Sequence, residues 1–526
     1  MIEGRINLRY LSLYIQKIIF KYIFFNLLIY IMGIRSVLSK LLARWVVDKQ
    51  TKWSTRPIET QRKVFNYLLS SAKKTKFGID HNFMSIQTHA DYCKNVPIRE
   101  YEGFQAYIEI IKEGNKNILW PGVPIYFAKT SGTTSGVKYI PITKASIRHH
   151  INGAKDALLN YVYYSGKSEF LDLKMIFLSG TPTMEKKNGI FIGRLSGIVN
   201  HHVPSYLRGN QLPSFETNCI EDWENKLDQI VAETIHQPMS LISGIPPWLQ
   251  MYFDRIEVRS GKKVKDVFKS LSLLVYGGVN FEPYRKKLMT SIGKEIDTIE
   301  TYPASEGFIA FQDQPNNEGL LLLLNSGVFY EFISVDTYGL ANQIRLTVGE
   351  VELGVNYALI ISTDAGLFAY AIGDTVKFVS KNPYRIVVTG RVKHFISAFG
   401  EHVIGEEVEQ SMKVTLAKHS EVSISEFTVA PQVSPIEGLP YHEWFIEFID
   451  SPTNVMQFAK DLDEEMILRN IYYKDLIVGN ILRPLKITVV LRGGFIEGMK
   501  KMGKLGGQNK SPRLSNDRTF VDSIFN

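Results

Sequence analysis

The sequence predicts an α/β protein with a large N-terminal domain and a small C-terminal α+β domain. Its 526 residues are too many for one hydrophobic core, so at least two domains are expected. Between residues 173 and 302, apolar strand-like segments alternate with amphipathic helices, a pattern typical of mostly parallel sheets covered on both faces. Between residues 320 and 389 short strands are separated by turn residues, which predicts an antiparallel, β-barrel-like portion.

The pattern changes again near residue 392, and this change sets the domain boundary. A predicted helix over residues 405–419 is followed by strands, a second helix and another strand, which together make a small α+β unit. We therefore expect an N-terminal domain over residues 32–392 and a C-terminal domain over residues 393–526.

Residues 1–31 form an extension of doubtful status. The apolar stretch over residues 11–32 carries Lys17 and Lys21, and a charge near the centre of a membrane span costs about 2.5–3.5 kcal/mol. No small-residue cleavage site follows, which argues against a signal peptide. We expect Met32 to be the natural start and the protein not to associate with membranes. A basic helix lying in a membrane interface is the alternative.

The charge distribution argues against nucleic acid as a partner. The formal net charge is +8, but the positive excess lies within the first 75 residues and the remaining body is close to neutral. A nucleic-acid-binding surface needs a basic stripe across the folded body. Cys93 and Cys219 lack the spacing of a metal site or a disulfide framework, so we expect reduced thiols in a cytoplasmic protein. We also expect a monomer or a weak dimer.

The segment Thr130–Lys138 predicts a phosphate-binding loop between two strand-like runs. Hydroxyls can donate hydrogen bonds to an anion, glycines let the backbone approach it, and a lysine adds a positive charge. The spacing differs from that of a Walker loop, and a flexible Ser/Thr/Gly hairpin is the alternative. The candidate phosphate ligands are Ser131, Gly132, Thr133, Thr134, Ser135, Gly136 and Lys138.

A glycine pair further along the chain predicts a nucleotide contact. Gly277 and Gly278 precede Val279 where a predicted strand ends, and glycines there allow a flat base to lie against the backbone. A tight strand-to-helix turn explains the same residues.

Two carboxylates also follow predicted strands. Glu306, in a segment with Tyr302 and Ser305, can hold a Mg²⁺ ion that bridges phosphate oxygens. Asp374 follows a glycine and can accept hydrogen bonds from both hydroxyls of a ribose. A capping glutamate and a common Gly-Asp turn are the structural alternatives.

These clusters, in this order, resemble the adenylate-forming superfamily of acyl-CoA synthetases and luciferase, and most closely the Gretchen Hagen 3 acyl-acid amido synthetases. The segment Gly390–Ile404 and the tail Gly506–Arg513 complete the resemblance, which covers about residues 33–520. It implies ATP and Mg²⁺ as cofactors and a C-terminal domain that rotates about Lys393. It also implies that Lys510 is the catalytic lysine, while Lys504 in Gly503-Lys504-Leu505 is the alternative.

The resemblance implies a two-step reaction. A carboxylic acid would be adenylated by ATP, and an amine, expected to belong to an amino acid, would then attack the acyl-adenylate to form an amide. An acyl-CoA ligase with the same first step is the nearest alternative, and a non-catalytic nucleotide-binding interaction protein is an alternative from another class. The candidates for lining an apolar acyl pocket are Trp248, Ile245 and Val199.

Overall fold

The computed structural model describes most of the chain. The described residues are 33–130, 138–203, 208–278, 281–315, 317–392, 395–396, 403–433, 435–478, 482–503, 511–515 and 518–525. Predictions for Ser131–Gly136, Val279, Lys393, Lys504 and Lys510 lie outside this set. Within it, no helix combines the length and the apolar character that crossing a membrane requires.

Five helices come first in the described chain, and their starts follow local rules. Pro57 opens the second helix, where its missing N–H costs nothing. Thr88 caps the fourth helix in a capping box with Asp91. The helices are α1 (Ile34–Ser54), α2 (Pro57–Ala72), α3 (Lys76–Asp80), α4 (His89–Asn95) and α5 (Gln105–Lys112).

A four-stranded sheet follows, with one long helix inserted. Its order is β2-β1-β5-β4, and only β1 and β5 run parallel. The elements of this region are β1 (Tyr126–Thr130), β2 (Lys138–Ile142), α6 (Ser146–Ser165), β3 (Lys174–Phe177), β4 (Glu185–Lys187), β5 (Ile190–Gly193) and α7 (Leu195–Asn200). Strand β3 belongs to the larger sheet described next.

The central sheet has eleven strands in the order β12-β13-β14-β15-β11-β10-β9-β8-β7-β3-β6. Its first half contains β6 (Gln211–Leu212), α8 (Phe215–Asn218), α9 (Trp223–Thr234), β7 (Met239–Gly244), α10 (Pro246–Ser260), α11 (Val264–Val267), β8 (Leu273–Gly277), α12 (Glu282–Ile292) and β9 (Asp297–Pro303). Its second half contains β10 (Phe308–Phe311), β11 (Leu320–Leu322), β12 (Val328–Ser334), β13 (Asn356–Thr363), β14 (Tyr370–Lys381) and β15 (Tyr384–Arg391).

The two halves of this sheet differ in strand direction, as the sequence predicts. Strands β6, β3, β7, β8 and β9 are parallel, whereas the pairs from β9 through β10, β11, β15, β14 and β13 to β12 are antiparallel. The antiparallel strands do not form a separate barrel-like unit, because β10 pairs directly with β9 and continues the parallel sheet. Among the described strands, the two edges of the sheet do not pair with each other.

The antiparallel half is strongly curved. Strand β14 is four steps from β9 in the sheet, and at about 4.8 Å per step a flat sheet would separate them by about 19 Å. The Tyr302 hydroxyl on β9 nevertheless lies 2.5 Å from Asp374 Oδ2 on β14. The curvature therefore brings residues from distant strands together on one side of the sheet.

The C-terminal part has its own core and contacts the rest of the protein. Its elements are β16 (Phe395–Ile396), β17 (Val403–Ile404), α13 (Gly405–Lys418), β18 (Ser423–Gln432), β19 (Tyr441–Asp450), α14 (Val455–Arg469), α15 (Ile471–Val478), β20 (Lys486–Val489), α16 (Gly494–Lys501) and α17 (Thr519–Phe525). Phe427 and Trp444 stack within this core. Lys377 Nζ on β14 lies 2.7 Å from Glu406 Oε1 on α13, which ties the C-terminal part to the central sheet.

Candidate active site

Glu306 lies at the tip of a tight β-hairpin between β9 and β10. The Ala304 N–H donates to the Gly307 carbonyl oxygen at 3.0 Å, and the Gly307 N–H donates to the Ala304 carbonyl oxygen at 3.3 Å. Ser305 and Glu306 are the two residues enclosed by these bonds, and Ser305 is buried. The backbone of the turn therefore fixes the position from which the Glu306 carboxyl group projects.

The surroundings of Glu306 disfavour its ionised form. Burial raises the pKa of the Glu306 carboxyl, and the negative charge of Asp374 raises it further, while Arg391 and Lys138 act in the opposite direction. The Tyr370 side chain lies near Glu306, and burial together with this carboxylate raises the pKa of Tyr370. A bound cation would relieve the repulsion between the two carboxylates, so the recess suits an ion with oxygen ligands.

A β-bulge in β14 determines where Asp374 lies. The pairing of β13 with β14 shifts register between Ala358 and Ile360. Gly373, in the bulge, has φ of 87°, a left-handed conformation that favours glycine. The sequence predicts two separate strands here, over residues 367–371 and 375–379. That prediction is wrong, because the bulge lets one strand continue through the glycine.

Asp374 is held by two neighbours. The Tyr302 hydroxyl donates to Oδ2, and Arg391 Nε lies 3.1 Å from Oδ1. Arg391 Nη2 also donates to the Ile372 carbonyl oxygen at 2.8 Å. Burial, and then the charge of Asp374, raises the pKa of Tyr302, so the phenol stays protonated and remains a donor. A carboxylate offers about four acceptor positions, which leaves capacity for hydroxyl groups of a ligand.

Sequence reasoning missed Tyr370 and Arg391 as members of this cluster, although the signal for Arg391 was present. Strands β14 and β15 form a hairpin in which Lys381 pairs with Tyr384. Counting outward from that pair places Arg391 opposite Asp374, and the structure pairs them because two register shifts in the hairpin cancel. Hairpin register can therefore identify a charge partner before a structure is known.

Gly277 and Gly278 lie at the carboxyl end of β8, beside the hairpin that carries Glu306. A Cβ on Gly277 would stand 2.2 Å from the Thr301 carbonyl oxygen, so only glycine allows β8 to approach β9 this closely. Gly278 has φ of 83°. The rings of Tyr276, on β8, and Phe281, just before α12, stack with their centres 4.0 Å apart. The adenine role of this segment stays a prediction.

The predicted phosphate loop is flanked by the strands that the sequence indicates. Thr130 at the end of β1 pairs with Lys138 at the start of β2, so residues 131–137 connect two antiparallel strands. Lys138 Nζ lies 5.7 Å from the centre of the Tyr101 ring, and its charge acts on Glu306. The start of β2 therefore lies near the acidic recess.

The structure does not bring the three acyl-pocket candidates together in one cluster. Trp248 is only 6% exposed, and its ring centre lies 4.5 Å from that of Trp223 in a core that Ile245 also contacts. Val199 packs against a different core. Their role in acyl binding stays a prediction.

Arg513, in the C-terminal tail, contacts the large domain. Its Nη2 donates to the Tyr284 hydroxyl at 3.1 Å, and Nη1 donates to both Glu426 Oε1 and the Phe427 carbonyl oxygen. The Tyr284 hydroxyl donates to Glu426 Oε2 at 2.7 Å. Arg513 is therefore held next to α12, which follows the Gly277–Gly278 segment in the sequence.

Glu331 on β12 is a fully buried carboxylate that lies outside this recess. Arg345 Nε donates to Glu331 Oε1 at 2.8 Å, and Nη2 donates to Oε2 at 2.7 Å. His89 Nε2 lies 2.8 Å from Oε1, and the Cys93 sulfur lies 3.4 Å from the same nitrogen. Burial alone would raise the pKa of Glu331, but His89 and Arg345 hold it below its usual value.

Together, these features define an α/β protein with a curved mixed sheet, a smaller C-terminal α+β unit and an acidic, tyrosine-lined recess. Three family models match the chain: the GH3 family N-terminal domain over residues 46–218, the GH3 family central domain over 321–391 and the GH3 family C-terminal domain over 406–519. The chain belongs to the GH3 family, which confirms the family predicted from the motifs.

The proteins similar to the chain include two plant enzymes and a solved structure. A jasmonoyl--L-amino acid synthetase GH3.5 from Oryza sativa subsp. japonica is 26% identical over 46% of this chain and 45% of its own length. An indole-3-acetic acid-amido synthetase GH3.3 from Arabidopsis thaliana is 24% identical over 40% of this chain and 38% of its own length. The chain thus spans less than half the length of the curated relatives it matches.

The solved structure is that of the AtGH3.15 acyl acid amido synthetase in complex with 2,4-DB. It has a TM-score of 0.75 and 16% identity, and the match covers 92% of this chain and 96% of that chain. At this identity the similarity shows the fold, and it confirms the α/β architecture predicted from the sequence.

Proposed function

We propose that the protein is an AMP-forming ligase that adenylates a carboxylic acid with ATP and transfers the acyl group to the amine of an amino acid. The observation that carries the proposal is the convergence of Glu306, in the β9–β10 hairpin, and Asp374, on β14, in one tyrosine-lined recess of a GH3 family chain. The rice relative is named for joining jasmonate to an L-amino acid and the Arabidopsis relative for amide formation with indole-3-acetic acid. The chemistry is common to both relatives, whereas the acid differs.

In this reaction each carboxylate has a distinct task. Asp374, steadied by Tyr302 and Arg391, would accept hydrogen bonds from the ribose hydroxyls of ATP. Glu306 would hold Mg²⁺, and its raised pKa fits a carboxylate that lacks a cation of its own. When bound, Mg²⁺ neutralises phosphate charge. The hairpin turn keeps Glu306 in place before the substrate arrives, which is the positioning that phosphoryl chemistry requires.

The remaining roles follow the motif assignments. The phosphates would be bound by the loop residues Ser131, Gly132, Thr133, Thr134, Ser135, Gly136 and Lys138. The adenine would contact Gly277, Gly278 and Val279. Tyr302 and Ser305 would complete the nucleotide site, and Trp248, Ile245 and Val199 would line the acyl pocket. A C-terminal domain over residues 393–526 would rotate about Lys393 between the two half-reactions, so that the acceptor can enter.

We assign the catalytic lysine to Lys510 rather than Lys504. Arg513 follows Lys510 by three residues and hydrogen-bonds to Tyr284, at the helix after the predicted adenine segment. This contact of Arg513 supports the proposal that Lys510 acts near the nucleotide. The location in the cytoplasm, suggested by two free cysteines, is part of the same proposal.

An ATP–pyrophosphate exchange assay across a library of carboxylic acids tests the first step. We expect exchange that depends on one class of acid and on Mg²⁺. Amino acids and coenzyme A are then compared as acceptors by AMP release, and only amino acids should accelerate it. Acceleration by coenzyme A alone would favour the acyl-CoA ligase, and ATP binding without exchange for any acid would favour the non-catalytic protein.

The Lys510→Ala variant, with Lys504→Ala as its matched control, tests the tail assignment. Loss of a charge that acts only in the adenylation transition state should lower exchange by about 10²–10³-fold. Attack of the amine on preformed acyl-adenylate should survive. Equal loss of both half-reactions, or a larger loss for Lys504→Ala, would contradict the assignment.

A further inference from the structure

Helix α1 carries an apolar stripe that faces solvent. The side chains of this stripe are exposed to solvent: Leu38 (54%), Leu41 (63%), Leu42 (39%) and Trp45 (51%). Their spacing of three and four residues puts them on one face of the helix. The opposite face is buried and packs against α6. Contiguous exposed apolar side chains of this size mark an interaction surface.

The same stripe becomes basic toward the end of the helix. Lys49 and Lys52 are exposed one and two turns beyond Trp45, and Lys49 Nζ lies 3.6 Å from the centre of the Trp45 ring. A groove between α1 and α2 begins at these two lysines and is also lined by Arg56 and Lys63. Among the described residues of its lining, Glu59 is the one acidic side chain, and it forms ion pairs with Lys63 at 2.6 Å and Arg56 at 3.9 Å. The surface thus joins an apolar stripe to a cationic groove.

This combination fits the interface of an anionic membrane. Leucine and tryptophan side chains settle at the boundary between acyl chains and headgroups, and lysines beside them contact lipid phosphates. The positive excess of the whole chain also lies within its first 75 residues.

We propose that α1 docks on an anionic phospholipid surface, with Leu38, Leu41, Leu42 and Trp45 at the acyl boundary and the basic groove on lipid phosphates. The proposal concerns peripheral binding and does not depend on the ligase activity. It departs from the prediction of no membrane association, which was based on residues 11–32 alone and not on the exposed face of the following helix.

Co-sedimentation of the full chain with vesicles tests the proposal. We expect binding to vesicles of phosphatidylcholine mixed with phosphatidylserine, weaker binding in high salt and little binding to pure phosphatidylcholine. Leu41→Ser/Trp45→Ser should lower the partition coefficient by about tenfold. Lys49→Glu/Lys52→Glu should lower it by a similar factor while leaving the apolar stripe intact.

The matched control is Val258→Ser/Leu468→Ser, which removes two exposed apolar side chains from α10 and α14. It should bind vesicles like the unaltered protein. Failure of the unaltered protein to bind anionic vesicles would overturn the proposal, and so would a control that loses as much binding as the α1 variants. Binding that is lost only on deletion of residues 1–32 would assign it to that segment instead. Conversion of a dimer to a monomer by Leu41→Ser/Trp45→Ser, with vesicle binding unchanged, would assign the stripe to a second copy of the chain.

Discussion

Glu306 and Glu331 are carried by the same curved sheet, and burial acts to raise the pKa of both, yet their charges are balanced in opposite ways. Glu331 accepts two hydrogen bonds from Arg345 and a third contact from His89, and its pKa lies below the usual value. Glu306 has no ion pair of this kind among the described residues; burial and then the nearby charge of Asp374 raise its pKa. The fully paired carboxylate stabilises the fold, whereas the other is suited to a ligand.

The comparison predicts that the largest loss of stability comes from Glu331→Gln. The substitution leaves Arg345 buried without its countercharge, so the free energy of unfolding should fall by about 3–5 kcal/mol. Urea unfolding followed by circular dichroism measures it. The double variant Glu331→Gln/Arg345→Met should recover part of the loss, because it removes the stranded charge. A double variant less stable than the single one would contradict the pairing argument.

Glu306→Gln should have the reverse effect, with activity lost and stability kept. Without the carboxylate the cation site is incomplete, and acid-dependent ATP–pyrophosphate exchange should fall by about 10²–10³-fold. The folded-state pKa of Glu306 is raised, so its ionisation opposes folding, and its contribution to stability is lost as the pH rises through the carboxyl range. The uncharged amide should therefore unfold no more easily than glutamate at neutral pH. A variant that retains exchange at the original Mg²⁺ concentration would contradict the assigned role.

The pairing of His89 with Glu331 also predicts how the stability of the fold depends on pH. Burial lowers the pKa of His89, but hydrogen bonds with Cys93 and Glu331 outweigh burial and raise it to about 9. This is above the value of about 6.5 in an unfolded chain, so protonated His89 stabilises the fold fully below about pH 6.5. The contribution is lost as the pH rises through about 9.

We therefore expect the free energy of unfolding to fall by about 1–3 kcal/mol between pH 6.5 and pH 9.5. Urea titrations at several pH values measure the slope, and His89→Gln should remove this part of it. An identical slope in His89→Gln would show that other groups control the alkaline loss.

Most of the architecture could be predicted because it rests on local patterns. The alternation of strands and helices before residue 303 gave parallel strands, and the short strands after residue 319 gave antiparallel ones. Glu306 and Asp374 were also identifiable, since each follows a strand in a turn or a bulge. Periodicity carries no information on how strands beyond the nearest neighbour approach each other, so the single continuous sheet was not predicted.

The clusters that depend on this curvature were beyond sequence reasoning. Tyr302 and Asp374 meet across four strand steps, and nothing in their separate segments indicates that contact. Glu331 likewise meets His89 from a helix far back in the chain. The expectation that Cys93 lacks the spacing of a metal site was wrong, because His89 precedes it by four residues and its ring nitrogen lies 3.4 Å from the sulfur. The carboxylate that completes the cluster comes from tertiary packing.

The smallest predicted effect concerns the hydroxyl that links β9 to β14. Tyr302→Phe removes one donor from Asp374 Oδ2 but leaves Arg391 on Oδ1, so the carboxylate stays in place with less support. One hydrogen bond of this kind contributes about 1 kcal/mol, which corresponds to a rise of about fivefold in KM for ATP with kcat almost unchanged. The matched control is Tyr330→Phe, another fully buried tyrosine of the sheet, whose hydroxyl donates to the Leu323 carbonyl oxygen at 3.3 Å. It should lower stability slightly and leave KM unchanged. If both variants raise KM equally, the contact between Tyr302 and Asp374 serves the packing of the curved sheet rather than ribose binding.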